Sequence, residues 1–305
     1  MSRRKRILIT GADGFIGGAL GKFFSQRRLS FEVIGISRRR EIGREIIRCN
    51  LNDPQKTLDT LAALKPYYIF HCAGGRSADE QKIWRSNFET TKILLESVLK
   101  IKNYRPRIVI PGSAAEYGPL PAGVKSATEK LSAWPSSWYA FVKYMQTSLG
   151  LMYARKGLDV RIARIFNIGG YGTPSSLALG NFAKKIVQIE RGKELPALKV
   201  GRLTGRRDFI DIEDVCSALW AIAHRGKKGE VYNVCSGRPL SMRFLLAELI
   251  SHSNIEATIQ EGLKMSSTTF DITGSNIKIR RATGWRPSVS LEQSLKNTLQ
   301  YYREL

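Results

Sequence analysis

The stretch Ile7-Leu8-Ile9-Thr10-Gly11-Ala12-Asp13-Gly14-Phe15-Ile16-Gly17-Gly18 constrains the fold more than any other part of this 305-residue chain. A short apolar run gives way to glycines at 11, 14 and 17, after which Ala19, Leu20, Phe23 and Phe24 recur at helical spacing. The pattern predicts a strand, a tight turn and a helix. Gly11 permits the turn, Gly14 lets the backbone approach a pyrophosphate with no Cβ in the way, and Gly17 lets the helix pack closely on the strand. Free N–H groups at the helix start then face the phosphates. A glycine triplet alone also serves as a plain structural turn; the strand before it and the helix after it favour a dinucleotide site.

The next strand, Phe31 to Ile36, ends at Ser37-Arg38-Arg39. NAD-binding units of this kind usually carry an acid there for the ribose 2′-hydroxyl. Two guanidiniums instead suit a 2′-phosphate, so NADP(H) is favoured over NAD(H), the alternative being a solvated basic loop. Further strands are expected at Ile46 to Cys49, Tyr67 to Cys72 and Arg107 to Ile110, with helices at Lys56 to Leu64 and from Asn87 to about Lys100. Ala73-Gly74-Gly75 follows the fourth strand with small residues that let a nucleotide lie against the strand end. Ser113 follows the fifth, at the strand edge where ligands gather in an open parallel sheet. Tyr139 and Lys143 then stand four apart on one helix face. An ammonium beside a phenol stabilises the phenolate, which suits Tyr139 to pass a proton to or from a substrate oxygen.

Those motifs together resemble the extended short-chain dehydrogenase/reductase family of epimerases, dehydratases and ketoreductases acting on nucleotide sugars. Gly112-Ser-Ala-Ala-Glu-Tyr-Gly118, Arg164-Ile-Phe-Asn167, Arg206-Arg-Asp-Phe209, Gly229 to Gly237 and Gly284-Trp-Arg-Pro287 are most similar to the GDP-4-keto-6-deoxy-D-mannose reductase subgroup. The resemblance implies an α/β fold, a doubly wound parallel (Rossmann) sheet over 1–165 with a smaller α/β substrate lobe mainly over 166–305, segments near 206–235 rejoining the first unit. It implies Ser113, Tyr139 and Lys143 as the catalytic set. Beyond the glycines and Ser37 to Arg39, it implies a cofactor site of Phe15, Ile16, Asn50, Leu51, Ala73, Gly74, Gly75, Asn87, Tyr139, Lys143 and Phe166. For a nucleoside-diphosphate sugar it implies Ser113, Ala114, Glu116, Tyr139, Asn167, Asn181 and Arg207, with Arg207 on the diphosphate unless it merely pairs with Asp208 at the surface. The helices Asn87 to Lys100 and Ser136 to Lys156 are those that pair across a homodimer in the family.

Three departures fall on recognition of the sugar and base. Asn50 replaces an acid near the adenine, Lys264-Met265 replaces an Arg-Pro, and the loop from Gly169 to Gly180 differs from that of the reductases. Ala114 and Ala115 stand where a 4,6-dehydratase needs Asp-Glu, which excludes that reaction and leaves a 4-epimerase as the alternative enzyme.

The formal charge of +23 raises nucleic-acid binding on a dehydrogenase scaffold as a reading from another class. The cations are dispersed in small clusters, and a pure binder has no need of Ser113, Tyr139 and Lys143, so a basic surface attracting an anionic substrate is favoured. With 43% hydrophobic and 25% charged residues, and no run of about 18 apolar residues, the expectation is a globular cytoplasmic protein without a membrane span. Cys49, Cys72, Cys216 and Cys235, with His71, His224 and His252, show no metal-ligand spacing and read as reduced, structural residues.

Overall fold

The computed structural model describes residues 5–27, 30–38, 46–262 and 271–305. Arg39 and Lys264-Met265, singled out above, lie outside the described residues. Seven strands form one parallel sheet: β1 (Lys5–Thr10), β2 (Phe31–Ser37), β3 (Ile46–Arg48), β4 (Tyr68–His71), β5 (Arg107–Ser113), β6 (Asp159–Ile165) and, after three strands of the lobe, β10 (Val231–Val234). Their spatial order is β3-β2-β1-β4-β5-β6-β10. The chain therefore winds outward from β1 in one direction and from β4 in the other, and the crevice above the carboxyl ends of these two strands is the topological switch point where such sheets bind ligands.

Both faces of the sheet are covered, as an all-parallel sheet requires. On one face α1 (Phe15–Ser25) and α7 (Ile212–Arg225) bury Leu20, Phe24, Leu219 and Ile222 against Ile7, Ile9 and Phe70. On the other, α2 (Pro54–Leu64), α4 (Thr90–Lys100) and α5 (Trp138–Arg155) bury Leu61, Leu94, Leu95 and Leu149 against Leu8, Ile69, Ile108 and Ile110.

The expected strands and helices form with small shifts of their ends, and two departures have a physical cause. The strand predicted to stop at Ile110 runs on to Ser113 through Pro111. Pairing with β4 ends at Val109, so the missing N–H of Pro111 faces no strand on that side, and β6 continues alongside to Ile165. The helix predicted to open at Asn87 begins earlier: α3 (Glu80–Trp84) passes through one π turn, Arg85–Glu89, into α4. Asn87 sits inside that turn, its Nδ2 donating to Ile83 O at 2.8 Å and Gly75 O at 3.0 Å. A π turn absorbs the extra residue that lets its side chain reach across to the β4 loop.

The lobe is built from α6 (Ala178–Glu190), α8 (Met242–Ser251) and α10 (Leu291–Glu304), which share a core of Phe182, Ile186, Leu245, Leu249, Leu295 and Leu299. Five short strands complete it. β7 (Asn167–Gly169), β9 (Arg206–Asp211) and β11 (Pro239–Ser241) form one small sheet, and β8 (Ala197–Val200) pairs with β12 (Thr258–Glu261). Between α8 and α10, helix α9 (Ile277–Thr283) packs against α7 and β10. All four cysteines are free.

Gly11 has φ of +64°, and a Cβ on Gly17 would lie 2.1 Å from Gly11 O. Helix and turn are thus in backbone contact. Gly17→Ala must push α1 off the turn, and we expect a loss of about 1–3 kcal/mol in denaturant unfolding together with lost dinucleotide affinity. Unchanged stability and affinity would show that the turn has slack.

Candidate active site

The carboxyl ends of β1, β2, β4 and β5 bring the predicted residues to one rim. Gly14 precedes α1 without any side-chain cap, and no acid stands in the first turn of that helix, so its N–H end is open to an anion. A Cβ on Gly14 would have only Gly11 O nearby, at 3.2 Å, and one on Gly75 would meet nothing within 4 Å. Both glycines therefore border space rather than packing. Phe15 and Ile16 form the half-buried start of α1. Ser37 is buried at the end of β2 and Arg38 is exposed just beyond it. After β3, Asn50 is exposed with its Oδ1 accepting from Asn52 N at 3.2 Å, and Leu51 is buried. This is a surface that fits a dinucleotide, with a helix N-terminus open to its pyrophosphate.

Ala73 N donates to Thr10 Oγ1 at 3.1 Å, which ties the loop after β4 to the end of β1. Gly74 has φ of +135°, and a Cβ there would meet Asn87 Oδ1 at 2.5 Å. Asn87 Oδ1 accepts from Gly75 N at 3.2 Å. The Asn87 side chain is thus spent on shaping this loop from beneath.

Ser113 ends β5 and caps the short 3₁₀ turn Ala114–Tyr117, its Oγ accepting from Ala115 N at 3.2 Å. Tyr139 lies in the first turn of α5, whose N-cap Ser137 accepts from Ala140 N at 3.2 Å. Burial holds the Tyr139 phenol above its usual range, and the Ser113 hydroxyl opposes that rise. Lys143, one turn further, is buried. Its Nζ donates to Pro111 O at 2.6 Å and to Gln146 Oε1. Burial pushes it down to about 8, against the charge of Glu116. The sequence predicts that Lys143 tunes Tyr139; the structure also brings Arg76 against that phenol, its guanidinium carbon 4.5 Å from the ring centroid and its charge opposing the rise. Arg76 has no spacing signal in the sequence, and only its place after Gly74-Gly75 could have drawn attention to it.

The predicted substrate residues divide. Glu116 is fully buried, where its carboxylate accepts from Ser113 N at 2.7 Å, Thr147 Oγ1 at 3.1 Å and Arg164 Nε at 3.0 Å, so it supports the site from behind rather than facing a ligand. Ala114, and Phe166 of the expected cofactor set, are likewise buried, packed with Tyr117, Ala127, Cys235 and Ile272. Asn167 Nδ2 donates to Asp208 O at 3.0 Å, and Asn181 is half-buried in the first turn of α6. Asp208 is fully buried and accepts from Ser236 N, Ser236 Oγ, Gly237 N and Gly274 N, so it is not a surface partner of Arg207. Arg207 is half-buried on β9, its pKa lowered by burial and by the nearby charge of Arg76. A cation whose charge is disfavoured in this way gains when an anion binds.

The NAD dependent epimerase/dehydratase family profile matches residues 7–235. GDP-6-deoxy-D-mannose reductase of Pseudomonas aeruginosa is 28% identical over 97% of this chain and 96% of its own length. The dTDP-6-deoxy-L-talose 4-dehydrogenase (NAD(P)(+)) of Kitasatospora kifunensis is 26% identical over 95% and 93%. Among solved structures, RMD from Pseudomonas aeruginosa complexed with NADPH superposes with a TM-score of 0.87 at 27% identity, covering 98% of this chain and 99% of that one. The UDP-glucose 4-epimerase of Thermus thermophilus in complex with NAD shares the fold, with a TM-score of 0.85 at 22% identity over 98% and 99% of the two chains. Joined to the glycine turn, to Ser113 at the end of β5 and to Tyr139 and Lys143 on α5, these likenesses show that the chain belongs to the NAD dependent epimerase/dehydratase family and is an NAD(P)-dependent oxidoreductase of the extended short-chain dehydrogenase/reductase type.

Proposed function

We propose that this protein reduces the 4-keto group of a nucleoside-diphosphate 4-keto-6-deoxy sugar with NADPH. The observation that carries the proposal is the grouping of Ser113, Tyr139 and Lys143 above β5, with Arg207 on the adjoining lobe, in a chain similar over nearly its whole length to a GDP-6-deoxy-D-mannose reductase. When bound, the nicotinamide supplies the hydride that goes to the carbonyl carbon. Tyr139 gives its proton to the carbonyl oxygen and is left as phenolate, while Ser113 donates a hydrogen bond to the same oxygen. Lys143 holds the nicotinamide ribose, and Arg207 binds the substrate diphosphate through charge-assisted hydrogen bonds.

Tyr139→Phe removes one hydroxyl and no packing, so NADPH affinity should hold while kcat on GDP-4-keto-6-deoxy-D-mannose falls on the order of 10²-fold. A variant keeping a third of the wild-type rate, or about that, would mean that another group is the acid. Tightly held NAD with no NADPH consumption would point to an epimerase instead.

Preference for NADPH rests on Arg38, exposed beyond the end of β2. Arg38→Asp exchanges a partner of the 2′-phosphate for a carboxylate that repels it and accepts from a 2′-hydroxyl. The NADPH-to-NADH ratio of kcat/KM should fall by roughly two to three powers of ten, about 3–4 kcal/mol. An unchanged ratio would reduce Arg38 to a surface charge.

A homodimer accounts for the outer face of α5. Trp138, Phe141, Tyr144 and Met152 are all exposed there, and Leu99 of the neighbouring α4 is exposed as well. At 100° per residue the four α5 positions fall within about 120° of helix surface, a stripe wide enough to face another helix pair. Phe141→Glu combined with Tyr144→Glu should give monomers in sedimentation equilibrium at micromolar concentration, and a wild-type monomer under those conditions would remove the dimer.

A further inference from the structure

Arg76 lies on the loop between β4 and α3, outside every motif of the sequence, yet the fold holds that loop against Tyr139 at three points. The preceding residue is clamped on both sides by Asn87, whose Oδ1 accepts from Gly75 N at 3.2 Å and whose Nδ2 donates to Gly75 O at 3.0 Å. Three residues after Arg76, Asp79 caps α3, its Oδ1 accepting from Lys82 N at 3.1 Å. Trp138, the neighbour of Tyr139, donates from Nε1 to Glu80 O at 3.1 Å, which fastens the start of α5 to the start of α3. Between these anchors the Arg76 guanidinium lies over the Tyr139 ring, 4.5 Å from its centroid. The side chain best placed to stabilise phenolate in the expected scheme, Lys143, has its Nζ on Pro111 O and Gln146 Oε1.

We propose that Arg76 is a positioning residue of the reaction: it lies against the Tyr139 ring and adds positive charge that stabilises the phenolate left when Tyr139 gives up its proton. This rests on the assignment of Tyr139 as the acid. The charges that act on Tyr139 are Arg76 from the β4 loop and Glu116 from the turn after β5, with Lys143 one turn further along its own helix; Arg207 on β9 in turn faces Arg76. Burial raises the Tyr139 phenol, Glu116 adds to the rise, and Arg76 opposes both. An arginine in this place keeps its charge at every working pH and stacks on the ring as well.

The test uses protein labelled with ¹³C at the tyrosine ζ carbon, with the Tyr139→Phe spectrum identifying the Tyr139 resonance. The titration is followed in wild type, Arg76→Gln and Arg76→Lys. Arg76 is exposed, so neither substitution opens a cavity. Loss of one adjacent cation should move the Tyr139 midpoint up by about one unit or more in Arg76→Gln, and Arg76→Lys should restore at least half of that. A midpoint in Arg76→Gln equal to that of wild type overturns the proposal, as does a wild-type Tyr139 that stays protonated to the alkaline limit of the fold. In turnover of GDP-4-keto-6-deoxy-D-mannose with NADPH, Arg76→Gln should lose roughly tenfold in kcat with KM for NADPH unchanged, and its alkaline limb should move to higher pH because a weaker acid stays protonated longer. If no variant and no wild type turns that substrate over while the NMR shift is present, the substrate assignment fails and the role of Arg76 stands.

Discussion

A carboxylate sealed inside the protein organises the reaction centre. Glu116 and Arg164 pair at 2.8 Å with side-chain exposures of 0% and 6%. Neither charge has water to fall back on, so removing one partner costs about 3–5 kcal/mol through the charge left behind. The pair also joins four elements. Glu116 belongs to the turn after β5, Arg164 to β6 and Thr147 to α5, and the Ser113 backbone N–H that Glu116 accepts from fixes the end of β5. Gly112 makes this approach possible, since a Cβ there would lie 2.7 Å from Glu116 Oε1. The same negative charge favours the ammonium of Lys143, which burial alone would push lower still.

A second buried network runs from the glycine turn to that lysine. Thr10 accepts from Ala73 N and bonds His71 Nδ1 at 2.9 Å; His71 Nε2 meets Thr91 Oγ1 at 2.9 Å; Gln146 donates to Thr91 Oγ1 at 2.7 Å and accepts from Lys143. Thr91 already donates to Asn87 O, so it accepts from both neighbours, which makes His71 the neutral tautomer with its proton on Nε2. Burial agrees, holding the His71 imidazole down to about 3. The histidine that the sequence marked only as structural is thus a spacer with one donor and one acceptor, and it ties the glycine turn to α5 through side chains alone.

The parts legible in the sequence are those whose physics is local. The glycine turn shows because steric freedom is a property of single residues, and Tyr139 with Lys143 because helical spacing puts them on one face. Glu116 was misplaced for the opposite reason: nothing within its own segment says that Arg164, 48 residues on, will claim it. Asn87 was read as a helix start, since a π turn has no period of its own to detect. The three- and four-residue strands β7, β8, β11 and β12 are too short to alternate, and only their partners define them. Arg76 belongs to this class too, being one charged residue in a polar loop until α5 is brought against it.

The cations of the site differ in how they answer pH. Lys143, held down to about 8 by burial, is charged below that value and loses its proton as the pH rises through it. A guanidinium does not titrate in this range. Above pH 8, or about there, the positive charge beside Tyr139 therefore comes from Arg76, while Lys143 keeps its contact with Pro111 O as a neutral donor. The division follows from where each chain segment runs. Lys143 points into the sheet, where desolvation is unavoidable, whereas Arg76 leaves the end of β4 toward solvent and reaches back over the ring, so its charge stays hydrated on one side while the other faces the phenol.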